Sequence, residues 1–354
     1  SIAKTIFERS APLSIPVTIF GDESPLSDFI FTLAPRWKSL HFYSDVQITT
    51  LVGIPTLQSL ESLRLTSDLE IYPLTIECFL GAPHLRDVSL NVWRASSFPM
   101  PWSQLTSLSL SSQTEPAQIL LDILVQCTNI EDASLLMIPW TQMPAPTSDK
   151  ISQLSRLKTL KLEIDNSPIA AFFAHLALPA LSQLFIETCS DCIWSSAGFS
   201  AFQRRSPSIR ELMLMGPLNI PSEGFVSLIH ESPCLEELFL DRCFAGPNAV
   251  DAALFSLQYS DTHTVHHAPR LQRLSIIDSE GRFDETMLER TICSRWWTDS
   301  QLRALPAPPP VARWAWFRIA KEFHEDAQDF SDSFREKIVQ LREEGLDVSI
   351  DEFD

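Results

Sequence analysis

Glycine is scarce in this chain, nine in 354 residues. None of the glycine-dependent catalytic phrases occurs: there is no G-x-x-x-x-G-K-[ST], no G-x-G-x-x-G and no G-x-S-x-G, and H-E-x-x-H is missing as well. Basic residues are also few, 27 Lys and Arg against 45 Asp and Glu, for a formal net charge of −18. A general nucleic-acid binder needs a basic face to displace counterions, so nucleic acid is not an expected partner. Anionic membrane surfaces are disfavoured for the same reason. No apolar run approaches the ~20 residues that span a bilayer. The longest candidate, "IAAFFAHLALPAL", is interrupted by His175 and Pro179. The start, at Ser1, lacks the basic-then-apolar form of a signal peptide. Cysteines number seven, odd and dispersed, which suits free thiols in a reducing compartment and predicts an intracellular protein, cytoplasmic or nuclear.

What the chain has is a phrase written ten times. It reads "WKSLHF" from Trp37, "LESLRL" from Leu60, "LRDVSL" from Leu85, "LTSLSL" from Leu105 and "IEDASL" from Ile130. It continues with "LKTLKL" from Leu157, "LSQLFI" from Leu181, "IRELML" from Ile209, "LEELFL" from Leu235 and "LQRLSI" from Leu271. Successive starts lie 23, 25, 20, 25, 27, 24, 28, 26 and 36 residues apart. Apart from the last step, which carries an insertion, the spacing and the L-x-x-L-x-L pattern are those of leucine-rich repeats. The second half of each phrase alternates apolar and polar residues, as a strand with one buried face requires. Such a face is hidden only against neighbouring repeats, so the phrases predict a parallel sheet built one strand at a time.

Between phrases, "PLTIECFLGAP", "PAQILLDILVQC", "IAAFFAHLALP", "GFSAFQRRSP" and "GFVSLIHESP" carry apolar residues at helical spacing. Many end in Ala-Pro, Leu-Pro or Ser-Pro; proline stops a helix and holds its predecessor extended, which suits a switch into the next strand. The expected fold is an α/β leucine-rich-repeat solenoid, with strands on the concave side and helices on the convex side. One domain is expected over 1–354: an N-terminal cap at 1–33, repeats over 34–300, and a strand–helix–strand cap at 301–354. The N-terminal cap is read as a helix, a strand near Ile15 to Phe20 and a short helix. In the C-terminal cap "LPAPPP" is a rigid connector, "VARWAWFRI" and "LDVSID" are strands, and "SDSFREKIVQLREEG" is a helix stopped at Gly345.

Candidate chemistry is thin. Three residues past each phrase the repeat favours a small polar side chain for the turn, and that slot holds Cys189, Cys243, Asp45, Asp68 and Asp165. Cys243 is thereby a turn residue. "CSDC" (Cys189, Cys192) lacks the second pair of a zinc site and the setting of a redox motif. "HTVHH" (His263, His266, His267) falls in the insertion and reads as a solvated loop, with weak metal binding as its alternative. The acidic stretches "EFHEDAQD" and "DEFD" read as solvated surface. No catalytic residue, cofactor or metal is predicted.

The outward strand positions say more. The fifth residue of each phrase gives, in order, His41, Arg64, Ser89, Ser109, Ser134, Lys161, Phe185, Met213, Phe239 and Ser275. Three consecutive copies place Phe185, Met213 and Phe239 there, and strands ~4.8 Å apart would set them in one apolar stripe. Beside it stand Gln183, Glu211 and Glu237 on one side and Glu187, Met215 and Asp241 on the other. An apolar row rimmed by carboxylates suits a protein partner carrying basic residues. The alternative is that these side chains pack on one another, or beneath a folded-back loop.

The irregular repeat, with Ser-Pro or Ala-Pro before "LxxLxL", resembles the leucine-rich-repeat region of fungal F-box proteins, especially those of mushroom-forming fungi. "FERSAPLSIPVTI" and "LREEGLDVSI" are similar to the entry and exit segments of that group. The resemblance implies a substrate receptor of a cullin–RING ubiquitin ligase, whose repeats hold the substrate while an F-box docks the ligase adaptor. No F-box precedes the first phrase here, so adaptor binding is expected only if that segment lies upstream of Ser1. The alternatives are a leucine-rich scaffold unrelated to ubiquitin and, from another class, an enzyme with an unrecognised site.

Overall fold

The computed structural model describes residues 13–20, 27–43, 48–54, 57–67, 75–92, 94–112, 116–137, 151–164, 169–246, 249–260, 267–278, 284–304, 309–322 and 330–353. Asp45, Asp68, Asp165, His263, His266 and most of "EFHEDAQD" lie outside them. The chain divides into two compact units, Ser1–Glu163 and Ile164–Asp354.

In the first unit the strands of the main sheet are β1 (Ile15–Phe20), β2 (Trp37–Tyr43), β3 (Ser62–Ser67), β4 (Asp87–Val92), β5 (Ser107–Ser112), β6 (Asp132–Met137) and β7 (Thr159–Ile164), which ends at the unit boundary. They stand in sequence order in a parallel sheet. Alternation explains each one: Leu63 and Leu65, Val88 and Leu90, and Leu108 and Leu110 are buried, while the residues between them face the other way. Among the described residues the connections are mostly 3-10 turns, with helices at α1 (Ser27–Thr32) and α2 (Ala117–Gln126). "PLTIECFLGAP" is a correction. Its described part is a run of turns closed by i→i+3 bonds, Leu80 N–H to Glu77 at 3.0 Å and Ala82 N–H to Phe79 at 3.0 Å. Thr75, Ile76 and Gly81 weaken a helix there and Pro83 ends it, so the segment only has to deliver Phe79 to the core.

The second unit continues the pattern with β8 (Gln183–Thr188), β9 (Glu211–Met215), β10 (Glu237–Asp241), β11 (Arg273–Asp278), β12 (Trp316–Glu322) and β13 (Asp347–Phe353), again parallel and in sequence order. Its helices are α3 (Ile169–Ala174), α4 (Ser196–Arg205), α5 (Ser222–His230), α6 (Ala249–Leu257), α7 (Glu285–Ser294), α8 (Asp299–Ala304) and α9 (Asp332–Glu343). Helices α3 to α7 pack each on the next. Side chains stitch these contacts: Arg205 donates to the carbonyls of Leu176 at 3.0 Å and Phe173 at 2.9 Å. Gln203 reaches from α4 to the Leu228 carbonyl at 2.9 Å and the Ser232 hydroxyl at 2.6 Å. Ser195, Asp284 and Ser331 cap α4, α7 and α9 by accepting from backbone N–H groups. In both units the chain adds one strand at a time to a parallel sheet, the connectivity of an α/β solenoid.

One backbone device recurs in both units. The carbonyl of the second residue of a phrase accepts from the N–H groups of the second and third residues of the next. Glu61 takes Arg86 at 2.9 Å and Asp87 at 3.2 Å; Arg86 takes Thr106 at 2.9 Å and Ser107 at 3.1 Å. Arg210 takes Glu236 at 2.8 Å and Glu237 at 2.9 Å, and Glu236 takes Gln272 and Arg273, both at 3.0 Å. Each strand is therefore set against its predecessor at the same place.

Candidate interaction surface

The ladder of the second unit fixes which outward residues are neighbours. Phe185 pairs with Met213, Met213 with Phe239, Phe239 with Ser275 and Ser275 with Arg318. Two residues before this row run Gln183, Glu211, Glu237 and Arg273; two residues after it run Glu187, Met215, Asp241 and Ile277. The inward partners Leu184, Ile186, Leu212, Leu214, Leu238 and Leu240 are at most 1% exposed, so the outward residues must face the opposite side of the sheet. Phe185, Met213 and Phe239 are each partly exposed.

The flanking carboxylates are not equivalent. Glu237 holds Arg273 at 2.7 Å, and Asp241 holds Arg242 at 3.1 Å. Glu211 accepts from the neutral amide of Gln183 at 2.7 Å. Glu187 is exposed and makes no ion pair with the described residues. Negative charge without a cation of its own therefore collects at the β8–β9 end of the row.

The row closes at Ser275. This residue is outward by register yet 0% exposed, and its hydroxyl has no hydrogen-bond partner. On the next strand the outward Ala320 is also 0% exposed. Position in the phrase gives direction but not depth: a serine between Phe239 and Arg318 is overtopped by its neighbours.

In the first unit two of the three corresponding rows are polar. His41, Arg64, Ser89, Ser109 and Ser134 form one row, and the Ser62 hydroxyl donates to Asp87 at 2.9 Å in another. The row after it starts with an aromatic pair that the sequence reading missed. Phe20, 72% exposed, stacks on Tyr43 with ring centroids 4.9 Å apart. The signal was available, since Tyr43 stands directly after the first phrase and Phe20 ends the strand before it.

The remaining candidates fall into place singly. Cys243 is fully buried and Cys192 nearly so, while Cys189 is exposed; none of the three is in a disulfide. His267 is half-buried, its ring 5.8 Å from that of His230. No group of three or more His, Cys, Asp or Glu among the described residues could hold a metal ion. Arg295 is the notable buried charge. It is 1% exposed, donates to the carbonyls of Ala268 at 3.1 Å and His267 at 2.7 Å, and lies over the Trp314 ring at 5.3 Å. Burial pulls its guanidinium down to about 10. It ties down the chain where the long insertion rejoins the tenth phrase, a structural task that the sequence reading did not assign.

No described helix is long and apolar enough to cross a membrane. The chain matches no family model, and no curated protein matches it significantly.

Proposed function

We propose that this chain is a non-catalytic protein-binding module of ten leucine-rich repeats with a cap at each end, and that its ligand docks on the row Phe185–Met213–Phe239. The observation that carries the reading is that row: three large apolar side chains in register on three adjacent strands, partly exposed and bordered by carboxylates. Exposed apolar area with a polar rim is the usual composition of a docking patch. The resemblance described above extends the proposal to the substrate-recognition region of an F-box-type receptor for a cullin–RING ubiquitin ligase, acting inside the cell. Adaptor binding would then belong to an F-box segment outside residues 1–354.

Two measurements separate the parts of the proposal. Co-purification of the full-length protein from its own cells should bring down cullin and its adaptor; their absence would remove the ligase role and leave a free-standing leucine-rich scaffold. Phe185→Ser with Phe239→Ser should weaken partner capture while leaving the thermal transition in place. Loss of the folded state instead would make those rings core and refute the surface assignment.

A further inference from the structure

We infer that the ligand of this surface is a basic amphipathic helix lying across strands β8 to β10, with Lys or Arg on both of its flanks at the β8–β9 end, over Glu187 on one side of the row and Glu211 on the other. The inference rests on the binding reading above and adds the partner's shape and charge.

Shape follows from the spacing of the row. Phe185, Met213 and Phe239 are register partners in a parallel ladder, so they recur every ~4.8 Å and the outer two stand ~9.6 Å apart. An extended peptide crossing the strands repeats its same-side residues every ~6.7 Å. By its third contact it would be about 4 Å out of step with the row. A helix instead brings residues three and four apart to the same face, ~4.5–6 Å along its axis, and residues seven apart at ~10.5 Å. Apolar side chains at i, i+3 or i+4, and i+7 therefore meet all three positions. The contact is about two turns long, because Ser275 on the next strand is buried and offers no apolar ledge.

Charge sets which end is which. The flanking rows lie two residues to either side, ~6.7 Å along the strand, within reach of a helix ~10–12 Å across with its side chains. Toward β10 and β11 the carboxylates already hold cations, Glu237 with Arg273 and Asp241 with Arg242. Toward β8 and β9, Glu211 has only the Gln183 amide and Glu187 has no ion pair among the described residues. A Lys or Arg on the ligand is complementary at that end and redundant at the other.

The test is a selection from a displayed library of random 14-residue peptides on the full chain. Binders that also bind Phe185→Ser/Phe239→Ser are subtracted, with Met213→Glu as the subtraction target if the double variant does not fold. The expected survivors carry apolar residues at i, i+3 or i+4, and i+7, with Lys or Arg beside them. Glu187→Gln with Glu211→Gln should weaken the best of them about tenfold, as two rim charges removed together predict. Survivors with alternating apolar residues, with proline, or with acidic flanks would overturn the helix or its charge while leaving the docking surface intact. Absence of any row-dependent survivor would bring down the docking surface itself.

Discussion

A β-carbon at Gly216 would overlap the carbonyl oxygen of Thr188, the last residue of β8. Gly216 follows β9 with φ +84, and its N–H donates to the Asp241 carbonyl at 2.8 Å. Left-handed backbone and a close strand approach coincide at one residue, so few substitutions fit. Gly216→Ala should cost about 3 kcal/mol or more, strain and overpacking together. Gly246 has nearly the same φ, +82, but open space around it. Gly246→Ala should therefore cost only about 1 kcal/mol, the backbone term alone. Urea unfolding of the two variants measures the difference, and equal losses would refute the overlap.

Ser275 gives the opposite sign. Its hydroxyl is wholly buried without a hydrogen-bond partner, a position where a polar group costs free energy. Ser275→Ala should leave stability unchanged or raise it by up to about 1 kcal/mol. A clear loss in a melting experiment would mean that the hydroxyl is satisfied in solution.

Asp251 on α6 supplies a pH dependence. Burial raises its carboxyl above the usual carboxylate range; the N–H of Asp284, donating at 3.2 Å, opposes this, and the Asp284 carboxylate adds to it. The folded state holds that proton more tightly than the unfolded chain does. Its stabilising effect is present at low pH and is lost as pH rises through the raised folded value. Asp251→Asn should therefore gain stability relative to the parent at neutral pH. The gain should shrink as pH falls toward 3.8, the ordinary value for the side chain. Melting temperatures of both proteins from pH 3 to 8 test this, and a difference independent of pH contradicts it.

The cysteines should separate by reactivity. Cys189 is exposed, whereas Cys127, Cys192 and Cys243 are buried. Burial pushes the Cys78 and Cys127 thiols up to about 12, which removes the reactive thiolate at neutral pH. A thiol reagent at pH 7.5 should label Cys189 first, and Cys127, Cys192 and Cys243 only on unfolding. Peptide mapping after brief labelling reads this directly, and early labelling of Cys243 would contradict its burial.

The strands were legible because a one-sided strand writes itself as alternation: all ten phrases run into parallel strands, and Ile15–Phe20 and Trp316–Glu322 follow the same rule. Helices were less so. "PAQILLDILVQC" becomes α2, but "PLTIECFLGAP" becomes turns and "IAAFFAHLALP" stops at Ala174, with Leu176–Ala177 extended. Three or four apolar residues in a ten-residue connection are needed to fill the core whether the backbone coils or merely turns, so their spacing does not decide. At the candidate surface the direction of Phe185, Met213 and Phe239 followed from parity alone. The burial of Ser275 and the pairing of Glu237 with Arg273 did not, because each depends on side-chain length on the neighbouring strand. Arg295 was illegible for a similar reason: its partners are backbone carbonyls, and these leave no trace in residue type.

The shared carbonyls between phrases separate two kinds of sequence change. Glu236 receives Gln272 and Arg273 across a step of 36 residues just as Arg86 receives Thr106 and Ser107 across one of 20. Insertions and deletions in the connections are thus absorbed before they reach the sheet. The outward residues are held on a grid whose pitch the backbone dictates, and any of them can be exchanged without re-indexing its neighbours. Length drift and recognition drift are mechanically uncoupled, so a lineage could rewrite what this face reads one square at a time.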